Sequence, residues 1–153
     1  MKDTLIKLGC IPLIMAAGIA FADDDDDDDD NGFGQAGILS KTNRGDIPEI
    51  SLSSGMPLLE DGDTITLKSG MYYELEINAD GSQELALGGA DFFRAIWVDE
   101  FVVEGIELRP YGIDSMEFDE AGEAELSFVA IKPGSYRFGV PGSDLQTVTI
   151  NIE

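Results

Sequence analysis

The chain has 153 residues, with 31 acidic side chains against nine basic ones, no histidine and a single cysteine, Cys10. A formal charge of −22 repels nucleic acid and anionic membrane surfaces and favours cations or basic proteins as partners. Without an imidazole or a second thiol there is no histidine base, no Cys/His zinc site and no intrachain disulfide.

The first element in chain order is an export signal. Lys2 and Lys7 are followed by a short apolar run from Leu8 to Ala22 that ends in Ala20-Phe21-Ala22, an A-x-A cleavage pattern, and the polar chain begins at once with Asp23. The run is too short for a comfortable membrane span, so residues 1–22 read as a signal peptide and the product as periplasmic or secreted, with no membrane span after cleavage. Cleavage takes away Cys10, two lysines and one aspartate; 153 less 22 leaves 131 residues, with a charge of −23.

Residues 23–49 read as a disordered acidic and Gly-rich leader. Eight consecutive aspartates, Asp23 to Asp30, repel one another, and Asn31 to Asp46 has linker composition with little to bury. A floppy carboxylate run supplies oxygens for calcium but no cage, so the run reads as a solvated spacer and not as a specific site.

Residues 50–153 read as one all-β domain. Polar and apolar residues alternate in Thr64–Leu67, Tyr73–Asn78, Ala124–Ile131 and Gln146–Ile152, and Phe101–Leu108 is rich in Val, Ile and Phe. Period two places one face inward and one toward water. Turn pairs such as Asp61-Gly62, Asp80-Gly81, Gly88-Gly89, Pro133-Gly134 and Pro141-Gly142 punctuate these runs. The pattern predicts a Greek-key β-sandwich or barrel of about seven to eight strands. Asp91–Val98 reads as a further extended stretch, apolar on both faces. If it is exposed, Phe93, Arg94 and Trp97 make a docking surface, since aromatics and Arg dominate binding hot spots; burial is the plainer expectation.

Phe128 to Ser143 resembles the last hairpin of the cupredoxins. In that family a pG-x-Y-x-F/Y-x-C strand runs into a P-G-H loop, then to a Met and a closing strand. Pro133-Gly134, Tyr136 and Phe138 match the strand. Val140 then stands where the family has its copper-binding Cys, Ser143 follows Pro141-Gly142 where the His belongs, and Val148 falls near the Met position; no residue answers to the upstream His. The motif covers 131–143 and the strand pattern 50–153. The resemblance implies a cupredoxin-like fold stripped of its type 1 copper ligands, for which one thiolate and two imidazoles are required.

Other candidates are weaker. Glu60-Asp61-Gly62-Asp63 and Asn78, Asp80, Ser82 gather oxygens at turns without calcium-loop spacing, and turns are where such residues cap the backbone. Met56, Met71 and Met116 are soft ligands for Cu(I), but they are scattered and read as gap-filling residues. No Ser sits in a nucleophile elbow and no Gly-rich phosphate loop follows a strand, so acid–base work would fall to carboxylates alone. The sequence points to an exported, acidic, non-catalytic binding or accessory domain whose partner is a basic exported protein. The alternative is periplasmic binding of copper or another cation through Met and carboxylate groups. No cofactor is predicted, with copper and calcium the ones left open.

Overall fold

The computed structural model describes residues 37–153. The predicted signal segment with Cys10 and the aspartate run lie outside them. Two five-stranded mixed sheets pack face to face. Among the described residues the strands are β1 (Ile50–Leu52), β2 (Thr64–Leu67), β3 (Tyr72–Ala79), β4 (Leu85–Gly88), β5 (Ile96–Val103), β6 (Ile106–Leu108), β7 (Ser115–Phe118), β8 (Gly122–Ala130), β9 (Gly134–Gly139) and β10 (Thr147–Ile152), with one short helix, α1 (Ala90–Phe93), between β4 and β5. The first sheet has the order β1-β3-β8-β5-β6 and the second β2-β10-β9-β4-β7.

The alternating segments fold as their pattern dictates. Leu75 and Ile77 of β3 and Val148, Ile150 and Ile152 of β10 are buried, while Glu74 and Glu76 between them face out. Between the sheets lies one core, with Leu87, Phe92, Leu126, Phe128 and Phe138 inaccessible to solvent.

The all-β expectation holds, with more strands than predicted. Phe101–Leu108 is not one run but the hairpin of β5 and β6, folded at Glu104-Gly105, both with positive φ (50° and 75°). That geometry suits a two-residue hairpin turn whose twist matches its strands. Three short strands, β1, β4 and β7, add to the total; β1 and β7 are edge strands. They are only three or four residues long.

Asp91–Val98 departs from the extended reading. Residues 90–93 form α1, and β5 begins only at Ile96. Helical geometry lets Phe92 and Phe93 turn into the core together, which a strand cannot do with neighbours. The Phe92 ring meets Phe128 at 5.6 Å and Phe138 at 5.5 Å, and Phe93 meets Phe138 edge-on at 5.7 Å. Gly89 permits this close seat, since a Cβ there would stand 2.6 Å from the Phe138 ring.

Composition predicts linker for 23–49, but the described part of it, 37–49, docks on the sandwich. The Gly45 N–H donates to the Tyr72 carbonyl (2.9 Å) and the Tyr72 N–H to the Asn43 carbonyl (3.1 Å). The Asn43 side-chain amide donates to the carbonyls of Ile38 and Gly70, both at 2.8 Å. The start of β3 lies beyond the reach of β1, whose pairing begins at Ile77, and this arm satisfies its backbone groups.

Candidate functional site

The loop that joins β9 to β10, together with the start of β10, holds the positions where the resemblance puts copper ligands. β9 and β10 are antiparallel neighbours with Phe138 opposite Val148 and Tyr136 opposite Ile150. Val148 is 2% exposed and belongs to the core, and Val140 packs against that core from the loop. The Ser143 hydroxyl accepts from the Gln146 N–H at 3.1 Å, and the Ser143 carbonyl accepts from the Thr147 hydroxyl at 2.5 Å. The Gln146 side-chain amide crosses to the Ser53 carbonyl at 2.9 Å. Two aliphatic side chains and a hydroxyl engaged in a turn do not fit a type 1 copper ion, which needs thiolate and imidazole donors. The loop is a closed turn built from hydrogen bonds.

The docking residues separate. Phe93 is 5% exposed and is a core ring, so it leaves the surface proposed for it; α1 turns it inward, where a strand would have shared it with the outer face. Arg94 follows the helix with its side chain 72% exposed. Trp97 remains 44% exposed. Trp97 and Tyr72 both pair with Val129 across β5, β8 and β3, so the three share the outer face of the first sheet.

That face is mainly acidic. The next row carries Glu74, Ser127 and Glu100, and the one after it Glu76, Glu125 and Val102, with Glu107 beside Val102. An irregularity between Val98 and Glu100 places Asp99 as an extra residue in β5. The Tyr72 hydroxyl donates to Asp99 (3.1 Å), and Arg109 reaches Asp99 (3.2 Å), Glu100 (2.9 Å) and Glu107 (3.6 Å). Arg44 lies 3.6 Å over the Tyr72 ring and pairs with Glu74 at 2.5 Å. Burial pushes the Tyr72 phenol above its ordinary range; the Ser127 hydrogen bond opposes this, the Asp99 charge adds to it, and the Arg44 charge works against it. A groove of about 360 Å³ on the same face is lined by Glu76, Glu104, Glu123 and Glu125 around Val102 and Ala124.

The three candidate methionines go to three places. Met56 is exposed in the loop after β1, Met71 packs at the start of β3, and Met116 lies in edge strand β7 opposite Leu87. The acidic turns behave as turns. Asp63 accepts from the Thr64 hydroxyl (2.9 Å), Asp80 from the Ser82 N–H (2.8 Å), and Asn78 donates to Glu49 (2.7 Å). Hydrogen bonds from the Ser82 and Ser53 side chains and the Ser82 N–H hold the Asp80 carboxyl below its usual range.

A carboxylate group that sequence reading misses lies at the β4–β7 edge. Oxygens of Glu84, Glu117 and Asp119 come within 4.8 Å of one another, all on exposed residues. The register explains it: Leu85 stands opposite Phe118 and Ala86 opposite Glu117, so Glu84 and Asp119 continue the ladder. The hydrogen bond with Glu84 and then its charge raise the Glu117 carboxyl above the ordinary range, with burial and Asp119 adding to the shift. Only the pairing of β7 with β4 reveals this, and strand pairing is tertiary.

No protein-family profile and no curated protein matches the chain. Solved structures do. A multi-copper oxidase from Pseudomonas Thermotolerans superposes with a TM-score of 0.52 at 14% identity, over 73% of this chain and 30% of that one. A multi-copper oxidase from Pseudomonas Parafulva gives 0.51 at 13% identity, over 72% and 30%. The chain thus spans about 30% of the length of these oxidases, whose domains are cupredoxin-like. Identity this low speaks to the fold alone. The hairpin motif, the two packed sheets and the superposition agree, and the chain adopts the cupredoxin-like fold.

Proposed function

We propose that this protein is an exported, non-catalytic binding domain that uses a cupredoxin-like sandwich as a docking surface and has no type 1 copper centre. The observation that carries the reading is Trp97. It stands 44% exposed on the outer face of the first sheet, beside rows of glutamates. An exposed indole with an acidic surround suits a partner with apolar and basic side chains, since complementary charge speeds encounter and the aromatic anchors the complex. The partner is a basic exported protein. Export rests on the signal-like residues 1–22, and the lack of catalysis on the missing imidazole and on copper positions occupied by Val140, Ser143 and Val148.

Cross-linking from the exported fraction, followed by a binding titration of the purified partner, tests the reading. Trp97→Ala weakens binding at least about tenfold, the effect of a modest hot spot, and added salt slows association. A partner that binds Trp97→Ala as tightly as the parent, or an acidic one, overturns it.

A second reading, cation binding, is favoured by the Glu84, Glu117 and Asp119 group. Three exposed carboxylates offer hard oxygen donors suited to calcium, and Met56 is an exposed soft donor for copper. Calorimetric titration with calcium and with copper decides. Saturable binding lost in Glu117→Gln supports this reading, and heats that never saturate remove it.

A further inference from the structure

The acidic chain gathers three of its nine cationic side chains into one cleft. Arg94, Lys132 and Arg137 line an opening of about 620 Å³ between α1 and β9, together with Asp91, Ser135 and Tyr136. With 31 acidic residues to pair with, cations placed only for neutralisation would scatter among the carboxylates, because like charges at close range repel.

The walls of the cleft are pinned. The Ala95 carbonyl, next to Arg94, accepts from the N–H groups of Ile131 (3.0 Å) and Lys132 (2.9 Å). The Tyr136 hydroxyl donates to the Lys132 carbonyl at 2.9 Å. These bonds fix the backbone at Arg94, Lys132 and Tyr136 on one frame, and Arg137 follows Tyr136 on β9. The nearby carboxylates neutralise the cations only weakly. Arg94 meets Asp91 at 3.4 Å and Asp114 at 4.0 Å, and Arg137 meets Asp144 at 3.2 Å, all through well-exposed side chains, where such pairs contribute little. Lys132 has no carboxylate partner among the described residues.

We propose that this cleft binds a small polyvalent oxyanion, a phosphate or polycarboxylate group. Two guanidinium groups supply paired donors that match such oxygens, and the ammonium adds a point charge. Ser135 adds a hydroxyl on the wall. The net negative charge of the protein opposes long-range approach, but at physiological salt it is screened over about 8 Å, so the local cations dominate inside the cleft. The site is independent of the docking reading, which concerns another face and a partner of opposite charge.

Calorimetry of the full exported chain with inorganic phosphate and with citrate tests the proposal, at low and at physiological salt. The expected result is saturable binding of one anion per chain to at least one probe, weakened about tenfold or more by Lys132→Gln and by Arg137→Gln, as expected for the loss of a charged hydrogen bond. Lys68→Gln, a cation elsewhere on the surface, leaves the affinity unchanged. All these residues are surface cations, so the variants fold, and far-ultraviolet circular dichroism checks that they do. No saturable heat with either probe overturns the proposal. So does an equal loss in Lys68→Gln, which would mark diffuse attraction to any cation.

Discussion

Replacing Phe93 by alanine distinguishes a core ring from a docking one. Phe93 is 5% exposed and faces two other rings, Phe92 at 5.8 Å and Phe138 at 5.7 Å. Truncating a buried phenylalanine costs about 3–5 kcal/mol, the lost transfer energy plus the cavity left behind. The edge-on pair with Phe138 adds about 0.5–1.5 kcal/mol beyond burial, so the expected loss lies in the upper part of that range, about 4–5 kcal/mol. The adjacent Arg94→Ala removes a side chain that is 72% exposed and should change stability by no more than about 0.5 kcal/mol. A domain of this size typically has about 5–15 kcal/mol to lose, so both variants remain folded in water. Urea denaturation followed by the fluorescence of Trp97, the only tryptophan, measures both. The midpoint falls sharply for Phe93→Ala and hardly at all for Arg94→Ala, with the slope unchanged in each. A loss below about 1 kcal/mol for Phe93→Ala, well short of the usual core cost, would return that ring to the surface and refute the packing argued for α1.

Three further outcomes follow from the geometry. Gly89→Ala, whose Cβ would stand 2.6 Å from the Phe138 ring, should cost about 1–3 kcal/mol as an overpacked site, read from the same urea curves; a neutral result would mean that α1 sits farther from β9. Because the folded-state pKa of Glu117 is raised, its contribution to stability is fully present below its unfolded value and is lost as pH rises through the folded one. Glu117→Gln therefore melts higher than the parent at neutral pH, and the advantage disappears on acidification; equal melting temperatures at neutral pH would contradict the repulsion by Glu84. Asp80 is the opposite case. Its folded-state pKa is depressed, so its contribution is present above the unfolded value and is lost as pH falls through the folded one. Asp80→Ala melts lower than the parent at neutral pH, and the gap closes in acid; a gap that persists there would assign the effect to something other than the carboxylate.

The legible parts of this chain are those in which each strand has one wet face. β3 and β10 show their alternation because Glu74, Glu76, Thr149 and Asn151 stay toward water while their neighbours enter the core. The hairpin motif was equally clear, since Pro133-Gly134, Tyr136 and Phe138 fall within six consecutive residues. Asp91–Val98 was opaque for the converse reason. Apolar side chains on successive positions fit a strand buried on both faces or a helical turn, and periodicity alone cannot choose between them. The contact between Gly89 and Phe138 decides it, and that contact is tertiary. The two charge clusters were hidden for the same kind of reason. Glu84 meets Glu117 only through the β4–β7 register, and Arg94 lines one cleft with Lys132 and Arg137 only once Ala95 is bonded to the turn after β8. Residues 37–49 read as linker because their composition buries little, yet their backbone completes the edge of β3, a role that composition does not encode.

The central claim is that the sandwich keeps the cupredoxin-like shape while its copper positions are filled by Val140, Ser143 and Val148. Visible absorption and electron paramagnetic resonance of the purified protein, with one equivalent of cupric ion added, test it most directly. The expected spectra show no intense blue thiolate-to-copper band, and any cupric signal is that of oxygen ligands. An intense blue colour with stoichiometric copper would contradict the account.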